Sequence, residues 1–158
     1  PMSNYNLQLL SRDDIEWLRT LRNANRDRFF TSEEITVESQ ESWFRRATWG
    51  DERWVIWDRS TRVGYFSIQA PNAELPIFPS DGRPVRYLSN LLVAEDYRGK
   101  GVIQEVRQVL DTYSTVYVGY PQVTNAASLR SCIKMGFINR GLYDHPTYGP
   151  MYILWKDK

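Results

Sequence analysis

The sequence predicts one α/β domain of seven strands and four helices. Three observations carry this. A chain of 158 residues suits a single domain with one sizeable core. Runs of strand-like and helix-like periodicity follow in the order β-α-α-β-β-β-α-β-α-β-β. No internal repeat, low-complexity tract or linker divides the chain, so residues 1–158 read as one unit.

Each element has its own signal. Tyr5 to Leu10 reads as a short strand. Ser11 and Asp14 form an S-x-x-D capping signature, and Ile15, Leu18 and Leu21 follow at helical spacing. That predicts a helix from Asp13 to about Asn25. Thr36 caps a second helix to about Thr48, with Val37, Gln40, Phe44 and Ala47 on one face. Glu52 to Asp58 holds "WVIW", the continuous apolar run of a strand buried on both faces. "RSTR" turns the chain into a third strand, Arg62 to Gln69.

Pro71 to Pro84, with four prolines and one glycine, is a long loop, either functional or mobile. Val85 to Val93 alternates, placing Val85, Tyr87, Ser89, Leu91 and Val93 on one strand face. A basic turn, "RGKG", leads to a helix ending near Tyr113, its apolar positions Val102, Val106, Val109 and Tyr113. Ser114 to Tyr120 is the fifth strand. Asn125 caps a fourth helix to Met135, and Gly136 stops it. Phe137 to Tyr143 and Pro150 to Trp155 close the sheet around "DHPTYG".

Composition excludes several function classes. A formal charge of +1 argues for no polyanionic partner or membrane surface. One cysteine excludes an internal disulfide, and no Cys/His cluster has metal spacing. With no signal-like start and no membrane-length apolar run, the expectation is a cytoplasmic protein. Pro1 before Met2 reads as a tag remnant. Aromatics reach 14%, with six Trp and ten Tyr, which suggests a lined cleft or an interface.

The chemistry centres on Arg98, Gly99, Lys100 and Gly101. Amides of a glycine turn and the positive end of the following helix converge on one point, an anion seat. Glycine lets backbone approach an oxyanion closely, and Arg98 and Lys100 add charge. The spacing is neither that of a dinucleotide fingerprint nor of a P-loop. A solvated turn before a helix is the competing reading.

"LLVAEDYRGKGV" followed by "NAASLRSCIKMGF" resembles the GNAT superfamily of N-acetyltransferases. Arg98 and Gly101 match its R/Q-x-x-G-x-G/A motif; Asn125, Ser128, Gly136 and Phe137 match its later helix motif. "LRN" (Leu21 to Asn23), Ile35-Thr36 and Gln40-x-x-Trp43 are similar to a subgroup acting on nucleotide-linked sugars, protein N-termini or small amines, with Gln40 where that pattern has His. The resemblance implies the GNAT fold, a mixed, largely antiparallel twisted sheet of about seven strands flanked by four helices and splayed between the fourth and fifth strands, with acetyl-CoA as co-substrate and no metal. It implies that backbone of Leu91, Leu92 and Val93 binds the pantetheine amides. Amides of Gly99, Lys100, Gly101, Val102, Ile103 and Gln104 would hold the pyrophosphate, with Asn125 and Ser128 beside the arm.

Two positions depart from the family pattern. Ile103 replaces a Gly or Ala, a β-branched residue at the helix's first turn. Its alternative is to point into the core with Val106 and Leu110. Cys132 replaces the Tyr credited with protonating the departing thiolate; it shares the Asn125/Ser128 helix face and can serve as acid or as an inert small apolar residue. Family geometry points to Tyr87, Ser89 and Tyr120 for the base, none of them a carboxylate. Glu33 and Glu34, between the first two helices, can supply one. His145 reads as a turn residue or a catalytic imidazole, and Tyr143 or Tyr148 as a substitute acid.

The implied activity is acetyl transfer from acetyl-CoA to a primary amine of a small molecule, amino sugar or peptide, in a ternary complex, by a monomer or homodimer. Two alternatives stay open. One is a CoA- or nucleotide-binding module with catalysis lost. The other is a nucleic-acid-modifying enzyme, suggested by the aromatic–arginine stretch "WFRRATW" around Arg45 and Arg46.

Overall fold

The computed structural model of the chain describes residues 5–26, 33–46, 51–70, 82–113 and 115–157. Ala47, Thr48, Trp49, Ser114 and residues 71–81 of the proline-rich loop lie outside them. The strands are β1 (Tyr5–Leu9), β2 (Glu52–Asp58), β3 (Thr61–Gln69), β4 (Val85–Val93), β5 (Val116–Gly119), β6 (Ile138–His145) and β7 (Gly149–Lys156). The helices are α1 (Ile15–Ala24), α2 (Val37–Arg45), α3 (Val102–Asp111) and α4 (Ala126–Lys134). The hydrogen-bonded strand order is β1-β2-β3-β4-β5-β7-β6, the expected mixed seven-stranded fold. Two compact units make up the chain, Pro1–Ile68 with Asn90–Val102 and Gln69–Ser89 with Ile103–Lys158, and β4 contributes to both.

In the first unit, β1 and β2 pair antiparallel, as do β2 and β3. Val55 and Ile56 are fully buried between half-buried Trp54 and Trp57, as a strand covered on both faces requires. The capping signature is real, but α1 starts at Ile15 rather than Asp13. Asp14 Oδ2 accepts from the amide and hydroxyl of Ser11 (2.8 and 3.1 Å), and Oδ1 from Arg62 Nε at 2.8 Å. These bonds hold Arg12–Asp14 in a 3-10 turn ahead of the helix. Thr36 and Ser39 cap α2 reciprocally, each amide donating to the other's hydroxyl (3.0 and 3.1 Å). The expected apolar face of α2 is only partly correct: Gln40 is buried, whereas Val37 is 57% exposed in the first turn.

Asn90 interrupts β4 with φ of 55°. Asn tolerates this left-handed conformation better than other non-glycine residues. The alternating face expected for β4 is half-buried, and the buried positions are Leu88 and Leu92 instead.

In the second unit, β4 and β5 run parallel, pairing only Val85–Tyr87 with Val116–Val118. The ladder stops there, which is the expected splay. β7 lies antiparallel to both β5 and β6. The β6–β7 turn is shorter than "DHPTYG", because the strands continue to His145 and resume at Gly149. α3 buries Val102, Val106 and Leu110, a four-residue step; Val109 is half-buried and Tyr113 lies exposed beyond the helix end. Burying each such aliphatic side chain contributes about 1.5–3 kcal/mol. Asn125 Oδ1 accepts from Ser128 N at 3.1 Å, capping α4. At the other end Gly136 (φ 97°) donates to Ile133 O and Phe137 to Cys132 O, each at 3.0 Å. This paired closure depends on the left-handed glycine.

Candidate active site

The glycine turn is open and braced. Gly99 and Gly101 have φ of 76° and 86°, and a Cβ built on either meets nothing within 4 Å. Among the described residues neither glycine amide donates to a backbone carbonyl, and α3 begins at Val102. The amides of Val102, Ile103 and Gln104 fall in that first turn, where the helix itself supplies no acceptors. Lys100 departs from expectation: its amide turns back to Tyr97 O at 3.3 Å, so it is withdrawn from the donor set. Open space, left-handed glycines and unspent donors at a helix N-terminus fit a pyrophosphate.

The braces come from the same unit. Ala94 N donates to Val63 O at 2.8 Å, tying the end of β4 to β3. Tyr97 OH donates to Asp58 Oδ2 (3.1 Å), and Tyr5 OH to the carbonyl of Lys100 (2.7 Å). Arg98 Nη2 donates to Asn25 Oδ1 at 3.0 Å; Asn25 is buried and donates in turn to Leu21 O (2.9 Å). Arg98 is thus anchored to the C-terminal end of α1 rather than left loose in solvent. Leu92 is buried, while Leu91 and Val93 are half-buried. Ile103 does not join the core. Val102 holds the position from which Val106 and Leu110 continue, leaving Ile103 half-exposed one residue around the helix.

In the second unit four predicted catalytic residues come together. The rings of Tyr87 and Tyr120 lie 5.8 Å apart at 41°. Tyr87 shares a hydrogen bond with Ser89 and feels the Cys132 thiol. Burial is the main cause pushing the Tyr87 phenol up to about 12, against the Ser89 bond, which lowers it. Burial, then Tyr87, raises Tyr120 as well. Burial pushes the Cys132 thiol up to about 12. All three therefore carry their protons at neutral pH. They are donors, not resting bases.

Other candidates lie elsewhere. Glu34 is exposed on the α1–α2 connection of the first unit, where its charge adds to the stronger hold of Glu16 on Arg19. His145 is buried at the end of β6, its Nδ1 accepting from Thr147 N (3.0 Å) and Tyr148 N (3.2 Å). Tyr148 stacks on it at 4.7 Å and Tyr143 meets it edge-on at 6.0 Å. His145 is thus the last residue of β6, and its ring accepts the amides of the turn that follows. In "WFRRATW", Arg53 and Arg22 lie over Trp43 at 3.8 and 5.1 Å, with Tyr65 edge-on at 6.4 Å. The indole is already occupied by the protein's own groups, which removes a stacking platform for a base. Arg45 pairs with Glu41.

"LRN" acquires a structural meaning. Asn23 Oδ1 accepts from Ile35 N (2.7 Å) while its Nδ2 donates to Ile35 O (3.0 Å), so one amide side chain clamps the α1–α2 connection. Arg22 Nη1 donates to Gln40 Oε1 at 2.9 Å, with Gln40 buried in the position of the pattern's His. Sequence reasoning missed Tyr5, Asn25, Asp58 and Tyr97. Asn25 had a signal, as a polar residue closing a helix; the others had none. Among the described residues no His/Cys/Asp/Glu group can hold a metal, and no helix is long and apolar enough to cross a membrane.

Residues 17–137 match the model of the acetyltransferase (GNAT) family. No curated protein sequence matches the chain. Solved structures with the same fold include the aminoglycoside acetyltransferase AAC(6')-Ib with coenzyme A, at TM-score 0.78 and 18% identity, covering 98% of this chain and 95% of that one. The spermidine N-acetyltransferase of Vibrio cholerae, with CoA and spermine, aligns at TM-score 0.75 and 16% identity over 99% and 96% of the two chains. A ribosomal-protein-alanine N-acetyltransferase from Brucella melitensis aligns at 0.71 and 19%, over 97% and 99%.

Proposed function

The chain belongs to the GNAT acetyltransferase family, and from that premise we propose that it moves acetyl from acetyl-CoA to a primary amine within a ternary complex. The observation that carries the cofactor assignment is the open turn at Gly99 and Gly101, whose amides have no backbone acceptor among the described residues. On this reading Gly99, Gly101, Val102, Ile103 and Gln104 bind pyrophosphate oxygens, and Arg98 adds charge from its Asn25 anchor. Backbone of Leu91, Leu92 and Val93 holds the pantetheine arm. Acceptors under this proposal are small-molecule amines, amino sugars or peptide amines, in keeping with the names of the structural relatives.

The chemistry assigns the phenols to the acid side. The amine nitrogen attacks the thioester carbon, the C–S bond breaks, and the sulfur takes a proton. Tyr120 or Tyr87, protonated well beyond neutral pH, supplies a hydrogen bond and the proton to that sulfur. Cys132, whose thiol burial raises to about 12 as it does the Tyr87 phenol, is the other candidate acid. The amine's proton leaves through water. The degenerate-module reading draws on one observation, Cys132 in the family's Tyr position. Free-thiol release from acetyl-CoA over polyamine, aminoglycoside, amino-sugar and peptide panels tests the proposal. Release that requires one amine class supports it; acetyl-CoA binding without release from any amine supports the module.

A further inference from the structure

We infer that Tyr5, on β1, is a positioning residue for the pyrophosphate seat, acting through the Lys100–Gly101 peptide; this rests on the cofactor reading above. Its hydroxyl donates to the Lys100 carbonyl at 2.7 Å across 95 residues of sequence. A peptide unit is planar and trans, so its C=O and N–H point to opposite sides. Fixing the Lys100 oxygen against Tyr5 therefore aims the Gly101 N–H the other way. Among the described residues that amide has no backbone acceptor, and a Cβ built on the same glycine meets nothing within 4 Å. Gly101, on the far side of this peptide plane, leaves it free to rotate unless something holds it. Tyr5 is the holder.

The hydroxyl also does electrostatic work. A hydrogen bond accepted at the carbonyl polarises the peptide and strengthens its N–H as a donor. Tyr5 is itself held in place, because it faces Asp58 across the β1–β2 ladder while Asp58 accepts from Tyr97. Burial first, and the Asp58 charge second, raise the Tyr5 phenol, so it stays protonated throughout the working range.

The test is Tyr5→Phe, which keeps the ring and the strand pairing and deletes one oxygen. Acetyl-CoA affinity is measured by calorimetry, and amide resonances of Gly101 and Gly149 by NMR. The expected result is a roughly three- to tenfold weaker Kd, in line with one neutral hydrogen bond. The Gly101 amide resonance shifts, and its displacement on acetyl-CoA binding shrinks, while Gly149 stays in place. An unchanged Kd, or a Gly101 amide that ignores the substitution, overturns the inference and leaves the cofactor reading standing. Failure of the wild-type protein to bind acetyl-CoA overturns both.

Discussion

Gly101→Ala separates the backbone role of the glycine turn from its binding role. At φ 86° an alanine sits in the left-handed region, and its Cβ meets nothing within 4 Å. The fold therefore loses conformational energy but suffers no clash. The strain is about 1–2 kcal/mol, partly offset by a stiffer unfolded chain, for a net loss of about 1 kcal/mol. In a protein of this size that lowers Tm by roughly 2–4 °C. Binding suffers more. The new methyl fills the space beside the amide, and one charge-assisted hydrogen bond is worth about 1.5–3 kcal/mol, or roughly ten- to hundredfold in Kd.

Gly149→Ala is the matched control, at φ 76° with equally open surroundings at the start of β7. Calorimetric titration with acetyl-CoA and thermal unfolding are run on both variants. Similar Tm losses with a Kd loss in Gly101→Ala alone is the expected pattern. Equal Kd values in the two variants would refute the reasoning, because the open space over Gly101 would then hold no ligand.

Tyr120→Phe should lower kcat with little change in acetyl-CoA Kd, whereas Cys132→Ala leaves turnover near wild type; single-turnover assays with the identified amine compare them, and the reverse ranking would return the acid role to the thiol. Asn23→Ala removes both bonds to the Ile35 backbone and should cost about 1–3 kcal/mol in denaturant unfolding; no loss would mean the clamp is redundant. Stability should be full below about pH 10 and fall between about pH 10 and 12. The reason is that unfolded phenols release protons there while Tyr65 and Tyr87, raised to about 12 by burial, retain theirs. Unfolding curves across that range should be flatter for Tyr87→Phe; an identical slope would mean that Tyr87 titrates normally.

What sequence could reveal was set by how local each feature is. The cap and stop of α4 were legible because Asn125 and Gly136 act within one helical turn of their partners. The buried stripe of α3 was half legible. Val102 and Val106 were placed correctly, but periodicity alone does not choose between Val109 and Leu110 for the next step, and packing chose Leu110. The same limit left a core position open for Ile103, a place that Val102 already holds. Asn90 gave no warning, since an asparagine in an apolar strand marks a polar position as readily as a left-handed break. In the site, the glycine turn and the order of its flanking motifs were readable. Tyr5 was not: its partner lies 95 residues away, and a tyrosine at a strand start is ordinary. Neither was the burial that raises Tyr87, Tyr120 and Cys132 above their ordinary values and favours donation over base work.

The central claim is that the Gly99–Gly101 turn seats the pyrophosphate of acetyl-CoA. Calorimetric titration of the wild-type chain and of Gly101→Glu tests it most directly, since the glutamate places bulk and negative charge on that seat. The account predicts saturable binding of one acetyl-CoA per wild-type chain, abolished in Gly101→Glu. Absence of heat and of thermal stabilisation in the wild type, or equal affinity in the variant, would contradict it.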